Sequence, residues 1–184
     1  MGKTRVFASL TAVLAAGVLA AACTTSKADM KPAGGPDSVA FAKKLWAAMG
    51  SAGYVGANMI NGTPYEGQEP HGAVLETMDG MLKVDGRTAL VVVKRNYGPK
   101  GLDTDAVMNE PGKHLKAVTV MYKREKGYDP DNADWFWVKY KADGSLDVNP
   151  KGVKLAGWVM KGADKGCIAC HKGAGADMLF TRDR

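Results

Sequence analysis

Thr88-Ala89-Leu90-Val91-Val92-Val93-Lys94-Arg95-Asn96-Tyr97 is the stretch of this 184-residue chain that decides its fold. It is dense in β-branched residues and lies between Gly86 and the pair Gly98-Pro99, which predicts one β-strand over these residues. This strand is the clearest in the chain. Because side chains alternate along a strand, one of its faces carries Leu90, Val92 and Lys94.

Segments on both sides of this stretch also predict strands. Short strands joined by tight turns, such as Ala142-Asp143-Gly144, argue for an antiparallel sheet. The loop before them, Tyr54–His71, is rich in Gly, Asn and Pro and holds at most one short extended piece. The other predicted strands, with a candidate edge strand last, are Ala73–Met78, Leu115–Arg124, Asp134–Tyr140 and Leu155–Met160.

Helical patterns flank the first strands. A helix is predicted to start at Asp37-Ser38 and to be ended by Gly50 and Gly53. A second, short helix is predicted over Leu102–Asn109, closed by Pro111-Gly112. We therefore expect a mainly β (α+β) domain over residues 37–184, with an antiparallel sheet, an N-terminal helix and short helices. The first helix carries an apolar stripe with i, i+4, i+8 spacing, Phe41, Leu45 and Met49.

The N-terminus predicts export. Lys3 and Arg5 precede an apolar run that ends in small residues at position 22, so residues 1–22 are interpreted as a signal peptide. A membrane-spanning helix is the alternative, but the run is slightly short and no basic residue follows it directly. Residues 23–36 are expected to be a flexible tether. Cys23 is a candidate lipidation site, with ordinary cleavage at Ala22 or Ala28 as the alternative, and the mature protein is expected in the periplasm.

Charge and cysteine usage narrow the functional classes. Loss of Lys3 and Arg5 lowers the formal charge from +6 to +4. The remaining charges are dispersed, without a basic cluster interleaved with aromatic residues, so nucleic-acid binding is not expected. An anionic redox partner protein is compatible with this charge. Two of the three cysteines lie close together near the C-terminus and the third is Cys23, so none is left for a structural disulfide.

Cys167-Ile168-Ala169-Cys170-His171 is a C-x-x-C-H motif, the attachment sequence of a c-type haem. Each thiol can add to one vinyl group of the same porphyrin, and the adjoining His171 then supplies an imidazole to the iron. C-x-x-C alone would also suit zinc or disulfide exchange. The adjoining histidine and the lack of a second C-x-x-C favour haem. We expect one covalently bound haem c per chain, held by Cys167, Cys170 and His171.

The C-terminal tail resembles a known family. Cys167–Lys172 followed by Asp177-Met178-Leu179-Phe180-Thr181-Arg182 is similar to the C-terminal signature of cytochrome P-460 and its relatives, the β-sheet cytochromes c′ (cytochrome c′-beta). The resemblance implies an antiparallel β fold, often dimeric, with one pentacoordinate haem c and an open distal face. Three residues of this tail are candidates for haem contacts. Met178, seven places past His171, is expected to pack beside the ring, and Phe180 is a second candidate. Arg182 is either a partner of a propionate or a solvated terminal charge.

The family divides by its chemistry. Cytochromes P-460 oxidise hydroxylamine and carry a bond from a lysine to the porphyrin, and Lys94 resembles that lysine in its strand context. The alternative is that Lys94 ends a strand with its ammonium in solvent. Proton removal in the enzymes needs a carboxylate on a central strand, but the matching stretch here, 117–121, has no acid. Glu76 is the nearest strand carboxylate. An apolar distal pocket, which admits nitric oxide, is therefore favoured.

Two further histidines bear on the function. His71 and His114 are candidates for a sixth iron ligand, which would suit an electron carrier. Both lie in polar segments with Gly and Pro, so we expect them at the surface. The preferred hypothesis is a homodimeric protein that binds nitric oxide or similar nitrogen ligands. Hydroxylamine oxidation with a Lys94–haem cross-link, and simple electron transfer, are the alternatives.

Overall fold

Six strands form one antiparallel sheet in the part of the chain that the computed structural model describes, residues 1–2 and 33–180. Each strand pairs with the next one along the chain, so the spatial order equals the sequence order. The predicted mainly β (α+β) fold is confirmed. The strands are β1 Tyr65–Glu66, β2 Val74–Val84, β3 Arg87–Tyr97, β4 Leu115–Lys123, β5 Trp135–Lys141 and β6 Ala156–Gly157.

Several predictions fall on other parts of the chain. The signal peptide from residue 3 onward, Cys23, the tether up to residue 32, and Arg182 lie outside the described residues. Within residues 1–2 and 33–180, no helix combines the length and the apolar character needed to cross a membrane.

The two longest strands, β2 and β3, pair as a hairpin. Its two turn residues, Asp85 and Gly86, have φ values of 50° and 80°, which suit the twist of a two-residue hairpin. β2 continues six residues beyond the predicted end at Met78, because Gly80 is part of the strand and not a turn. A Cβ on Gly80 would lie 2.4 Å from the Tyr54 hydroxyl oxygen, so glycine at this position lets the Tyr54 side chain lie close to the strand.

The helix α1, Pro36–Ser51, covers one face of the sheet. It starts at Pro36, one residue before the predicted start, and proline suits the first helical position. Ala42, Leu45 and Met49 are fully buried. The Tyr140 hydroxyl donates a hydrogen bond to the Ala42 carbonyl (2.7 Å), which joins the helix to β5. The strand residues of this core include Val91, Val93, Val118, Val120, Phe136 and Val138.

The other helices are short. They are α2 Thr104–Asn109, α3 Pro111–His114 and α4 Cys167–His171. The Asp103 carboxylate accepts a hydrogen bond from the Ala106 amide (2.7 Å) and caps α2. Pro111-Gly112 begins α3 and does not simply close the preceding helix, because proline is favoured at a helix start.

The second face of the sheet carries its own small core. The chain after β6 lies against this face and contributes Val159, Ile168 and Met178. Trp135 and Trp137 point to this face and Phe136 to the α1 face, as alternation predicts. The fold therefore places the C-x-x-C-H motif on the face of the sheet that α1 leaves free.

Candidate functional site

The helix α4 presents the two thiols. Cys167 and Cys170 are three residues apart, so their side chains lie one turn apart on the same side of the helix. Gly166 precedes the helix with φ 123°, a conformation that favours glycine. Ile168 is buried in the second core and anchors the helix to the sheet. Burial raises the pKa of the Cys167 thiol.

His171 is held in a fixed orientation. The side chain is 8 % exposed, and its Nδ1 donates a hydrogen bond to the Met178 carbonyl (2.8 Å). Burial lowers the pKa of His171, which favours the neutral imidazole. Because the proton sits on Nδ1, Nε2 carries a free lone pair. A metal-binding histidine is usually oriented in this way, with its other nitrogen bonded to the protein.

A cavity of about 530 Å³ separates α4 from the sheet. This volume lies within the range of about 300–1,000 Å³ that is typical of ligand sites. Trp137 lines the cavity, and its buried Nε1 has no hydrogen-bond partner among the described residues. A flat, largely apolar group with polar edges, covalently tied to two thiols, would fit this wall. The lining from the strands comprises Thr77, Val92, Lys94, Thr119, Val120, Met121, Trp137, Val138 and Lys139.

Lys94 is half-buried and lines this cavity. It pairs with Thr77 on one side and Thr119 on the other, in the centre of the sheet. Burial lowers the pKa of its ammonium, and the charge of Cys170 works in the opposite direction. The predicted face of Leu90, Val92 and Lys94 is confirmed, since the first two pack on the second core.

His71 also lines the cavity, and the prediction that it lies at the surface is wrong. Its ring centre is 6.3 Å from that of His171. Burial is the main cause that lowers the pKa of His71 to about 4, and the charge of Lys94 adds to it. The neighbouring Pro70 and Gly72 suggest an exposed loop in the sequence, but they belong to a turn folded against β3. His114 ends α3 and does not line this cavity.

The tail residues of the predicted site lie close to His171. Met178 is 3 % exposed and belongs to the second core, and its predicted place beside the haem ring stays a prediction. The Phe180 ring centre is 5.2 Å from that of His171, and the side chain is 54 % exposed. The structure does not describe Arg182.

Glu76 is not part of the cavity. It lies on the α1 face of β2, where its carboxylate accepts a hydrogen bond from the buried Arg95 (2.9 Å) and another from the Tyr97 hydroxyl. Asp164, on the loop before α4, is the carboxylate that lines the cavity within residues 33–180. The central strands therefore contribute amine, hydroxyl, indole and apolar groups to this wall, and no acid.

A second cleft of about 420 Å³ adjoins the cavity. The two share Pro70, His71, Thr119 and Lys139. Among the described residues, no cluster of three or more His, Cys, Asp and Glu side chains is arranged to hold a metal ion directly. Any metal at His171 would therefore need ligands from a bound group.

Comparisons with protein families, with curated proteins and with solved structures gave no match in any of the three. The assignment of a function to this site depends on its residues and their geometry.

Proposed function

We propose that this chain is an exported, periplasmic mono-haem c-type cytochrome that binds nitric oxide or a similar small nitrogen ligand. The observation that carries the proposal is the position of α4. Two thiols one turn apart and an imidazole with a free Nε2 border a cavity of about 530 Å³. Haem c would supply an iron that takes a neutral diatomic ligand on the face opposite His171.

Each proposed contact follows from a residue described above. The Cys167 and Cys170 S–H groups would each add across a vinyl double bond, with sulfur bonding to one carbon and hydrogen to the other. His171 would bind iron through Nε2 while the Met178 carbonyl keeps the ring in place. The apolar lining from Val92 and Met121 would exclude water from the iron.

Attachment is tested on the full chain, produced in a bacterium with a c-type maturation system. We expect denatured protein to gain the mass of one haem and to show a haemochrome spectrum. Cys167→Ala/Cys170→Ala should lose both signals, while Cys23→Ala keeps them as a control outside the motif. If the denatured wild-type protein carries no haem, the proposal is wrong.

Ligand binding is tested separately by anaerobic titration of the ferrous protein with nitric oxide. We expect a shift of the Soret band that saturates at one ligand per chain. If the protein carries haem but its spectrum does not change with nitric oxide, the cytochrome assignment stands and the proposed nitric oxide binding is wrong.

Hydroxylamine oxidation with a Lys94–haem cross-link is the second candidate. The specific observation in its favour is that Lys94 lines the cavity and that burial lowers its pKa, since a neutral amine is the nucleophilic form. The bond would replace one amine N–H and one porphyrin C–H, so its formation would need a two-electron oxidant such as a peroxide. Tryptic mapping of the holoprotein would then find a haem peptide that also contains a β3 fragment. Lys139, on the same cavity wall, is the internal control. An unmodified Lys94 peptide would exclude this function.

A further inference from the structure

Two histidines face the same cavity at a separation that matches one metal ion between them. The ring centres of His71 and His171 are 6.3 Å apart, with an angle of 81° between the ring planes. A metal–imidazole bond is about 2.0–2.1 Å long. The ring centre lies about 1 Å beyond the bonded nitrogen, so two imidazoles on opposite sides of a metal have centres roughly 6 Å apart.

Both rings are also anchored by the nitrogen that a metal would not use. His171 Nδ1 donates to the Met178 carbonyl, and His71 Nδ1 lies 3.5 Å from the Thr119 hydroxyl oxygen. The Asn96 amide donates to the same hydroxyl (3.3 Å). The Thr119 hydroxyl donates its own hydrogen to the Lys94 carbonyl (3.5 Å), so its oxygen can accept from His71 Nδ1. A proton on Nδ1 leaves Nε2 free.

The backbone that carries His71 is fastened to the sheet. The His71 amide donates to the Gln68 carbonyl (2.9 Å), and the Ala73 amide donates to the Tyr97 carbonyl (3.1 Å). Gly72 has φ 136°, and a Cβ there would lie 2.7 Å from the Tyr97 carbonyl oxygen. The chain can therefore lie this close to β3 only with glycine next to His71.

We propose that His71 is the second axial ligand of the haem in the resting protein, opposite His171, and that nitric oxide binds by displacing it. The inference rests on the proposed haem attachment. It departs from the pentacoordinate iron that the family resemblance implies. The exchange breaks one bond from iron to His71 and forms one from iron to nitric oxide, with no change in the number of electrons.

The first test is the ferric spectrum of the full holoprotein. We expect a six-coordinate, low-spin iron by absorption and electron paramagnetic resonance. His71→Ala should lose the low-spin signal and become high-spin, and added imidazole should restore the low-spin signal. His114→Ala, the matched control outside the cavity, should leave the spectrum unchanged.

The second test is the rate at which nitric oxide binds to the ferrous protein. In the wild type we expect the observed rate to level off with nitric oxide concentration, at the rate at which His71 leaves. In His71→Ala the rate should rise linearly with concentration.

Two results would overturn the role of His71. One is a high-spin, five-coordinate wild-type protein, and the other is a low-spin signal that persists in His71→Ala. Either result with covalent haem present leaves the proposed function standing, whereas a wild-type protein without haem overturns both.

Discussion

Arg95 and Glu76 form an ion pair inside the core. Arg95 is fully buried and donates to the Glu76 carboxylate (2.9 Å) and to the carbonyls of Tyr54 (2.9 Å) and Ile60 (2.8 Å). Arg95→Met would leave a buried carboxylate without its cation and the carbonyls of Gly53, Tyr54 and Ile60 without their donor. Removal of one partner of such a pair costs about 3–5 kcal/mol. We expect a loss of that size in the free energy of unfolding, measured by urea denaturation of the holoprotein.

Lys44→Met is the matched control for this prediction. Lys44 and Asp85 are also 2.9 Å apart, but both side chains are at least half exposed. Solvent-exposed pairs contribute about 0–1 kcal/mol. If Arg95→Met and Lys44→Met lower the free energy of unfolding equally, burial does not make the Arg95–Glu76 pair more important than an exposed pair.

Individual residues of the site differ in how well the sequence predicts their positions. Alternation placed Lys94 on the correct face because that rule depends only on the strand itself. The partners of Glu76 and the position of His71 depend on loops that close from residues 53–62 and 68–72, distant in sequence from β3. In the sequence, Glu76 in a strand and His71 between proline and glycine both resemble surface residues. Only the folded loops show that they are covered.

The bounds of helices and strands were predicted well where the apolar pattern of the segment matches the face that it buries in the fold. β3, β5 and α1 lie within a residue or two of their predicted bounds because their apolar periodicity is strong. β2 was predicted too short because Asp79-Gly80 resembles a turn, while the actual turn is Asp85-Gly86. Only the packing of Tyr54 over Gly80 distinguishes the two.

Gly144 links the turn after β5 to α1. It has φ 85°, and a Cβ there would lie 2.4–2.7 Å from ring atoms of Trp46, which itself packs on Tyr140. Gly144→Ala would combine backbone strain of about 1–2 kcal/mol with overpacking of about 1–3 kcal/mol. We expect the free energy of unfolding to fall by the sum of the two effects, as measured by urea denaturation.

Gly86→Ala isolates the backbone part of this cost. Gly86 has a similar φ of 80°, but nothing lies within 4 Å of the position its Cβ would take. The difference between the two variants measures the contact of the turn with Trp46. If both lose the same stability, Trp46 moves away freely and the turn does not fix α1 on the sheet.

Across the whole molecule, the site is assembled from distant parts of the chain by one simple topology. Because neighbouring strands pair in sequence order, Lys94, Thr119 and Trp137 lie on adjacent strands and on the same face. The chain after β6 then brings His171 to that face. The motif is visible in the sequence, but the face on which it lies is not, since both faces carry apolar residues.

The two faces are expected to differ in how much they depend on haem. The α1 face has a large core of its own, whereas the second core has six buried residues beside a cavity of about 530 Å³. Under the proposed function, thioether bonds and His171 fasten the chain after β6 to a group that fills this cavity. Without haem, that segment keeps only its small core and should open locally at low free-energy cost.

Limited trypsin digestion of Cys167→Ala/Cys170→Ala beside the wild-type holoprotein tests this difference. Lys165 and Lys172 are exposed and flank α4. We expect mass spectrometry to show much faster cleavage after both lysines in the haem-free variant, while the fragment from α1 to β5 survives. Cleavage after Lys151, an exposed residue between β5 and β6 that does not line the cavity, should be equally fast in both proteins and serves as the internal control. Equal protection of Lys165 and Lys172 in both proteins would show that the second core holds the segment without haem. Simultaneous loss of the α1–β5 fragment would show instead that the sheet itself depends on haem.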